Sequence, residues 1–299
     1  MRLRACLIGI ALGASGSPGC SSRSSGGVAD ATPGDSLVFP FSIDAPPGGE
    51  LYTCFGFDAS PLAGRWVREI AWTAPPPGDV QLHHATLYAV PGDYPAGPIA
   101  CDTMPASWTM HIWAPGGEPL TLPGDVAIAL PAGTRRLIVQ AHVLRFVAGP
   151  SATASATLVT TDVAPLHTAT WMAASGSVPA IRPHMTEHTS TTCQVAAPMH
   201  VVTAWPHMHL IGKAFQGAIV HPDGTRSVIV DVASWNFDAQ QTYPVDADVA
   251  AGEGIETDCT WFNPTDDYVL PGASTHDEMC GQGLIVWPAA TAAWLGPCQ

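Results

Sequence analysis

Proline and glycine interrupt this 299-residue chain so often, with 29 of each, that short strands joined by turns are its natural way to fold. A helix of ordinary length needs ten or more residues at a 3.6-residue period without either breaker, and no long apolar helical repeat is present. Short alternating or continuous apolar runs recur instead, at 65–73, 81–90, 125–130 and 136–146, and again at 194–206, 213–221, 226–232, 254–262 and 283–287. Pro222-Asp223-Gly224 predicts a hairpin turn between two of them. The expected fold is all-β. The stretch 162–183, with its own prolines and little periodicity, reads as a junction between two β-sandwich domains of similar size, 36–163 and 164–299. A hydrophobic content of 46% argues against disorder.

The amino terminus sets the compartment. Arg2 and Arg4 precede an apolar run at 6–14 and then small residues up to Gly19-Cys20. Residues 1–20 therefore read as a signal peptide, too short for a permanent membrane span. Ser17-Pro18-Gly19-Cys20 ends in the small residue and cysteine of a bacterial lipoprotein cleavage site, although Ser17 and Pro18 depart from the usual pattern. A lipid on Cys20 is expected ahead of plain secretion, followed by a Ser- and Gly-rich tether over 21–35. The expected location is the periplasm or cell surface, with a membrane tether through that lipid.

The net charge is −14, and loss of a leader carrying Arg2 and Arg4 makes it more negative. Nucleic acid and anionic membrane surfaces are thereby disfavoured as partners. With Cys6 cleaved and Cys20 lipidated, Cys54, Cys101, Cys193, Cys259, Cys280 and Cys298 remain. An even set without a CxxC pair, in an exported chain, predicts disulfides. Six cysteines can pair in fifteen ways, and spacing does not choose among them.

The chemistry-bearing residues are histidines. His207-Met208-His209 places two imidazoles at i and i+2 of a strand, on one face, where they can hold a single ion. A third ligand must come from elsewhere, and Met279 in Asp277-Glu278-Met279-Cys280 is the candidate. Its thioether is soft, and a His2Met set favours copper, Cu(I) above all, over zinc. In the first half, His83 and His84 are adjacent. On a regular strand they point to opposite faces, so both reach one ion only if the strand ends or bulges there. His142, in Val139-Gln140-Ala141-His142, is either a core histidine bonded to a carbonyl or the third member of an all-imidazole set suited to copper or zinc. His111, His167, His184, His188, His200 and His221 are expected to be structural or superficial, with His184 and His188 in a loop after Pro183. His276, three residues before Met279, is the one of the remainder placed to matter. Lys213 reads as a solvated strand end.

Taken together, His83-His84, Gln140-x-His142, His207-x-His209 followed by Gly212-Lys213, and Asp277-Glu278-Met279-Cys280 resemble the copper type II, ascorbate-dependent monooxygenases, the family of peptidylglycine α-hydroxylating monooxygenase and dopamine β-monooxygenase. The motifs come in the family's order and span most of the chain. The resemblance implies two jelly-roll-like β-sandwiches with a cleft between two copper sites. It implies an electron-storage copper at His83, His84 and His142, with Gln140 and Tyr52 in its setting. It also implies a copper that binds dioxygen and acts on substrate at His207, His209 and Met279, with an ascorbate-like reductant. Bridges Cys54–Cys101, Cys193–Cys298 and Cys259–Cys280 are similar to those of the family.

The departures bear on substrate. Peptide-amidating members have an arginine where this chain has Trp205, and an asparagine and a tyrosine where it has Gly281 and Gly283. A carboxylate-bearing substrate is thereby disfavoured, and a small apolar or aromatic one expected. Two other readings remain open on the residues alone. One is an exported copper-handling lipoprotein without catalysis, and the other is a structural β-sandwich whose histidines are incidental.

Overall fold

The computed structural model describes residues 35–76, 78–101, 108–289 and, as backbone, 295–298. The expected leader, Cys20 and the tether up to residue 34 lie outside the described residues. No described helix is long and apolar enough to cross a membrane.

In chain order the strands of the first half are β1 Asp35–Ile43, β2 Gly49–Asp58, β3 Trp66–Thr73, β4 Val80–Val90, β5 Ile99–Ala100, β6 Trp108–Trp113, β7 Leu120–Thr121, β8 Val126–Ala129, β9 Arg136–Arg145 and β10 Ala152–Thr161. Those of the second half are β11 His167–Ser175, β12 Thr186–Val195, β13 Met199–His207, β14 Gly212–Val220, β15 Arg226–Val232, β16 Tyr243–Val249, β17 Gly254–Phe262, β18 Gly281–Trp287 and β19 Leu295–Cys298. The all-β expectation holds. The turn at Pro222-Asp223-Gly224 joins β14 to β15, with Gly224 at φ 82° and the Asp223 carboxylate accepting from the Thr225 amide at 2.9 Å.

A nine-stranded sheet runs through both halves in the order β1-β10-β3-β8-β11-β18-β13-β16, with β7 on β3. One five-stranded sheet, β5-β2-β9-β4-β6, packs on its first part, and another, β15-β14-β17-β12-β19, on its second. The two cores follow from strand periodicity. Phe39, Phe41 and Ile43 alternate along β1 and meet Leu82 and Leu87 of β4 and Leu137 and Val139 of β9. Val201, Leu284 and Val286 meet Phe215, Ile255 and the fully buried Trp261 in the second. β4 and β9 are buried nearly throughout, as expected of central strands with both faces covered, whose sequences read as continuous apolar runs.

Two expectations need correction. The stretch 162–183 is not a plain junction, because β11 lies inside it. This strand pairs parallel to β8, from His167 opposite Val126 to Ala169 opposite Ile128, and antiparallel to β18. Apart from Trp171 and Met172 it is His, Thr, Ala and Ser, so its hydrophobic signal is too short to show a strand period. Likewise 194–206 is not one strand. The Thr-rich β12 ends at Val195 and β13 begins at Met199. His188 thus lies on β12 rather than in a loop, with Nε2 2.9 Å from the Asp258 carboxylate, while His184 is in the preceding turn at φ 53°.

Cys54–Cys101 and Cys259–Cys280 are formed. Cys193 is disulfide-bonded and stands opposite Cys298 in the β12–β19 register, while the Cys298 side chain lies outside the described residues.

Candidate metal centre

The β4–β9 register shifts between Leu82 and His84. This bulge is the local departure that two adjacent histidines need to share a face. His84 then stands opposite His142 on β9. The Nδ1 atom of His83 is 3.2 Å from that of His84 and 3.1 Å from that of His142, and one ligand atom from each of the three lies within 4.8 Å of the others. Ring nitrogens so spaced cannot all satisfy one another. They suit two or three ligands about 2 Å from a common ion, the usual metal–imidazole distance. His142 turns its other nitrogen, Nε2, to the Glu50 carboxylate at 3.0 Å, which fixes its tautomer and aims Nδ1 at the centre of the set. Tyr52, opposite His142 in the β2–β9 register, stacks on its ring at 4.1 Å and 6°.

The expected role of Gln140 is narrower than its place in the motif suggested. Its amide accepts from Tyr88 Oη at 3.1 Å and donates to the Cys101 carbonyl at 2.9 Å. It ties β9 to the segment held by the Cys54–Cys101 bridge, two residues from His142 on the same face.

His207 ends β13 and His209 follows it. Gln240 donates its amide nitrogen to the Phe237 carbonyl at 3.0 Å, so its Oε1 faces His207 Nδ1 at 2.8 Å. His209 Nδ1 faces the Asp277 carbonyl at 3.0 Å. Both partners only accept, so each Nδ1 carries the proton and each Nε2 keeps its lone pair for an ion. The rings lie 5.1 Å apart, nearly perpendicular. Trp205 stacks on His207 at 4.9 Å, so its indole braces this imidazole.

β13 pairs with β18 so that His207 faces Gly281 and Trp205 faces Gly283. Met279, two residues before Gly281, is thereby brought to the His209 end of the ladder. The buried Glu278 carboxylate ties the two segments. It accepts from the amides of His209 at 2.9 Å, Ile211 at 2.8 Å and Met279 at 3.2 Å, and from the Trp261 indole at 3.0 Å. Burial still pushes the Glu278 carboxyl above the usual range, against the pull of those four donors. Next to Met279, Cys280 is bridged to β17, and Gly176 is required there, since a Cβ would lie 2.6 Å from the Cys280 sulfur. Space beside Gly283 is filled by the Trp171 indole, whose Nε1 lies 2.7 Å from where a Cβ would be.

Sequence reasoning missed the segment 235–240. Trp235 donates its indole N–H to the His209 carbonyl at 3.0 Å, Gln240 orients His207, and Phe237 stands between the two histidine sets. The Phe237 ring stacks on His83 at 4.5 Å and meets His209 edge-on at 6.4 Å. No local motif marks these residues, and only the fold brings them to the histidines.

All five imidazoles are held neutral. Burial, then the neighbouring His142, His207 and His209, pushes His83 down to about 3, and burial and then His209 push His207 to about 3. His84, His142 and His209 are lowered for the same leading reason, with Glu50 and the Asp277 carbonyl partly opposing it at the last two. The unfolded chain therefore binds protons below about pH 6.5 that the folded chain refuses, so stability is lost as pH falls from there toward about 3. At pH 5 His83 and His207 each cost up to about 2 kcal/mol, and each kcal/mol is worth roughly 2–4 °C in a chain of this size. The Tm of metal-free protein should drop by about 10 °C or more between pH 7 and pH 5 in calorimetry. A flat profile over that range would contradict five buried neutral imidazoles.

The donor sets fit copper. Three convergent imidazoles and a His pair with free Nε2 lone pairs beside a methionine segment offer nitrogen and soft sulfur, without the carboxylate-rich shell of a hard cation. Among solved structures the chain is similar to the major capsid protein P2 of bacteriophage PM2, at 9% identity and a TM-score of 0.36 over 84% of this chain and 97% of that one. It is also similar to infectious bursal disease virus, Gt strain, at 10% identity and a TM-score of 0.21 over 84% of this chain and 70% of that one. A putative secreted protein of Parabacteroides distasonis matches at 6% identity and a TM-score of 0.20, over 85% and 88% of the two chains. Likenesses this low bear on neither histidine set. No curated protein matches the chain in sequence. Residues 167–294 match the family described as Copper type II ascorbate-dependent monooxygenase, C-terminal domain. That span contains His207, His209 and Met279, while His83, His84 and His142 precede it. The match over residues 167–294 supports a place for this part of the chain among the copper type II ascorbate-dependent monooxygenases.

Proposed function

We propose that the protein is an exported copper-dependent monooxygenase that hydroxylates a C–H bond of a small apolar or aromatic substrate, with dioxygen and an ascorbate-like reductant. The observation that carries the reading is the presence of two histidine sets, buried or half-buried and held neutral, on either side of Phe237. In this reading each jelly-roll-like half supplies one copper site. His83, His84 and His142 hold the first through Nδ1, and His207, His209 and Met279 the second. Copper so held supplies one-electron redox chemistry and, when reduced, an affinity for dioxygen. The reaction consumes two electrons and two protons, placing one oxygen atom on the substrate carbon and releasing the other as water.

The chain's own residues do the positioning. Gln240 and the Asp277 carbonyl keep the protons of His207 and His209 on Nδ1. Glu50 does the corresponding work for His142. Glu278 holds the His209 and Met279 backbones to one carboxylate. Trp205 presents an indole where a charged group would be needed to hold a carboxylate, which supports an uncharged substrate. A lipid on Cys20 would tether the enzyme to a membrane facing the cell exterior or periplasm.

Metal analysis tests the reading directly. Purified protein titrated anaerobically with Cu(I) should take up two equivalents per chain, and the loaded protein should consume oxygen with ascorbate only when it forms hydroxylated product. One equivalent, or none, would overturn the two-site assignment. Two equivalents without substrate-dependent turnover would leave a copper-handling protein instead.

A further inference from the structure

A pocket of about 630 Å³ opens where the two halves meet, lined by Leu144, Phe146, Leu210, Phe237 and His83 among others. Its volume is in the range of sites for small organic ligands, roughly 300–1,000 Å³. Trp205, Gly281 and Gly283 do not line it. Phe146 and Leu210 come from opposite halves, yet both are left exposed at this opening, by 58% and 47%. Large apolar side chains held in water around one concavity mark a surface that something apolar covers.

The charged side chains of the pocket already have partners, although Arg145 Nε is left without one. Glu50 accepts from His142 at 3.0 Å and from Thr275 Oγ1 at 3.2 Å. Arg145, 3% exposed, donates to Asp44 at 2.5 Å and to the Gly149 carbonyl at 3.0 Å. A ligand carrying a carboxylate or ammonium group would have to break one of these pairs or keep that group at the rim, where Asp238 and His276 are exposed. The apolar lining of Leu144, Phe146, Leu210 and Phe237 offers such a group nothing in return. The inner wall is Phe237, whose ring touches His83 and reaches His209. Its segment is fastened at both ends, by Trp235 to the His209 carbonyl and by Gln240 to His207 and to the Pro115 carbonyl.

We propose that this pocket binds the organic substrate as an uncharged apolar or aromatic molecule, and that Phe237 is the wall that sets how far the substrate reaches toward His209. Calling the ligand the substrate rests on the monooxygenase reading; the binding itself does not.

The test is an equilibrium fluorescence titration of the full chain with N-phenyl-1-naphthylamine, a neutral apolar probe, without reductant. Saturable one-site binding is expected, displaced at least tenfold more effectively by 1-naphthalenemethanol than by 1-naphthoate or 1-naphthylmethylammonium. Phe146→Glu, at an exposed position that leaves the core intact, should weaken binding tenfold or more, whereas Phe146→Leu should stay within threefold of the native protein. Phe237→Ala should shift preference at least fivefold toward the bulkier probe over 1-naphthalenemethanol. Absence of saturable binding, equal displacement by the charged analogues, or indifference to Phe146→Glu would overturn the pocket. If the probe binds as expected while ascorbate-dependent oxygen uptake is absent, the pocket stands and the oxygenase reading fails. Turnover without probe binding would fail the pocket alone.

Discussion

Replacing Met279 with alanine should lower kcat by about 10³-fold while the fold and the first histidine set are retained. The expectation comes from where Met279 is held. The β13–β18 ladder places His207 opposite Gly281, and Glu278 accepts from the amides of both His209 and Met279, so the Met279 backbone is held at the His209 end of the site. Truncating a half-buried side chain there disturbs little packing, and Cys280 remains bridged to Cys259. If Met279 is a direct ligand, as proposed above, its loss should exceed the roughly 10–100-fold cost of losing an outer partner. The check pairs product formation with Cu(I) titration: the first equivalent should bind as before, the second more weakly. Product formed at the native rate would remove Met279 from the reaction.

His142→Ala should separate binding from turnover. His142 is the member of the first set anchored by both Glu50 and Tyr52, so its loss removes one ligand and releases the two residues that orient it. It does not face the exposed rim of the pocket at Phe146 and Leu210. Turnover should fall by about 10²-fold or more, copper uptake should drop by one equivalent, and titration with the neutral probe should be unchanged within a few-fold. A merely structural role would move the probe affinity and the Tm together with activity. Native turnover with one copper lost would end the electron-storage role for this set.

Much of the site was legible because strand periodicity is simple. His207 and His209 share a face by the two-residue period, Met279 was suggested by its soft thioether and the first set by its three imidazoles, and the resemblance joined the two sets into one proposal. The condition attached to His83 and His84, that adjacent histidines need a bulge, is met by a register shift at that point. The disulfides Cys54–Cys101 and Cys259–Cys280 were legible only through the resemblance. What stayed hidden has one physical character: it acts across space from segments without a motif. Gln240, Phe237, Trp235 and Glu50 reach the histidines from loops and a neighbouring strand, and nothing in their local spacing announces an imidazole as partner. Glu278 lay inside a recognised motif, but its four N–H donors come from residues near and far. β12 escaped because its Thr and Ser form a strand without an apolar stripe, and β11 because Trp171 and Met172, side by side, show no alternation.

The parallel ladder between β8 and β11 also bears on how such a protein can be divided. A chain cut near residue 163 would leave each half with a bare strand edge, offering unpaired N–H and C=O groups to any passing strand. Each half would then need its open edge covered before its histidine set could work in another protein.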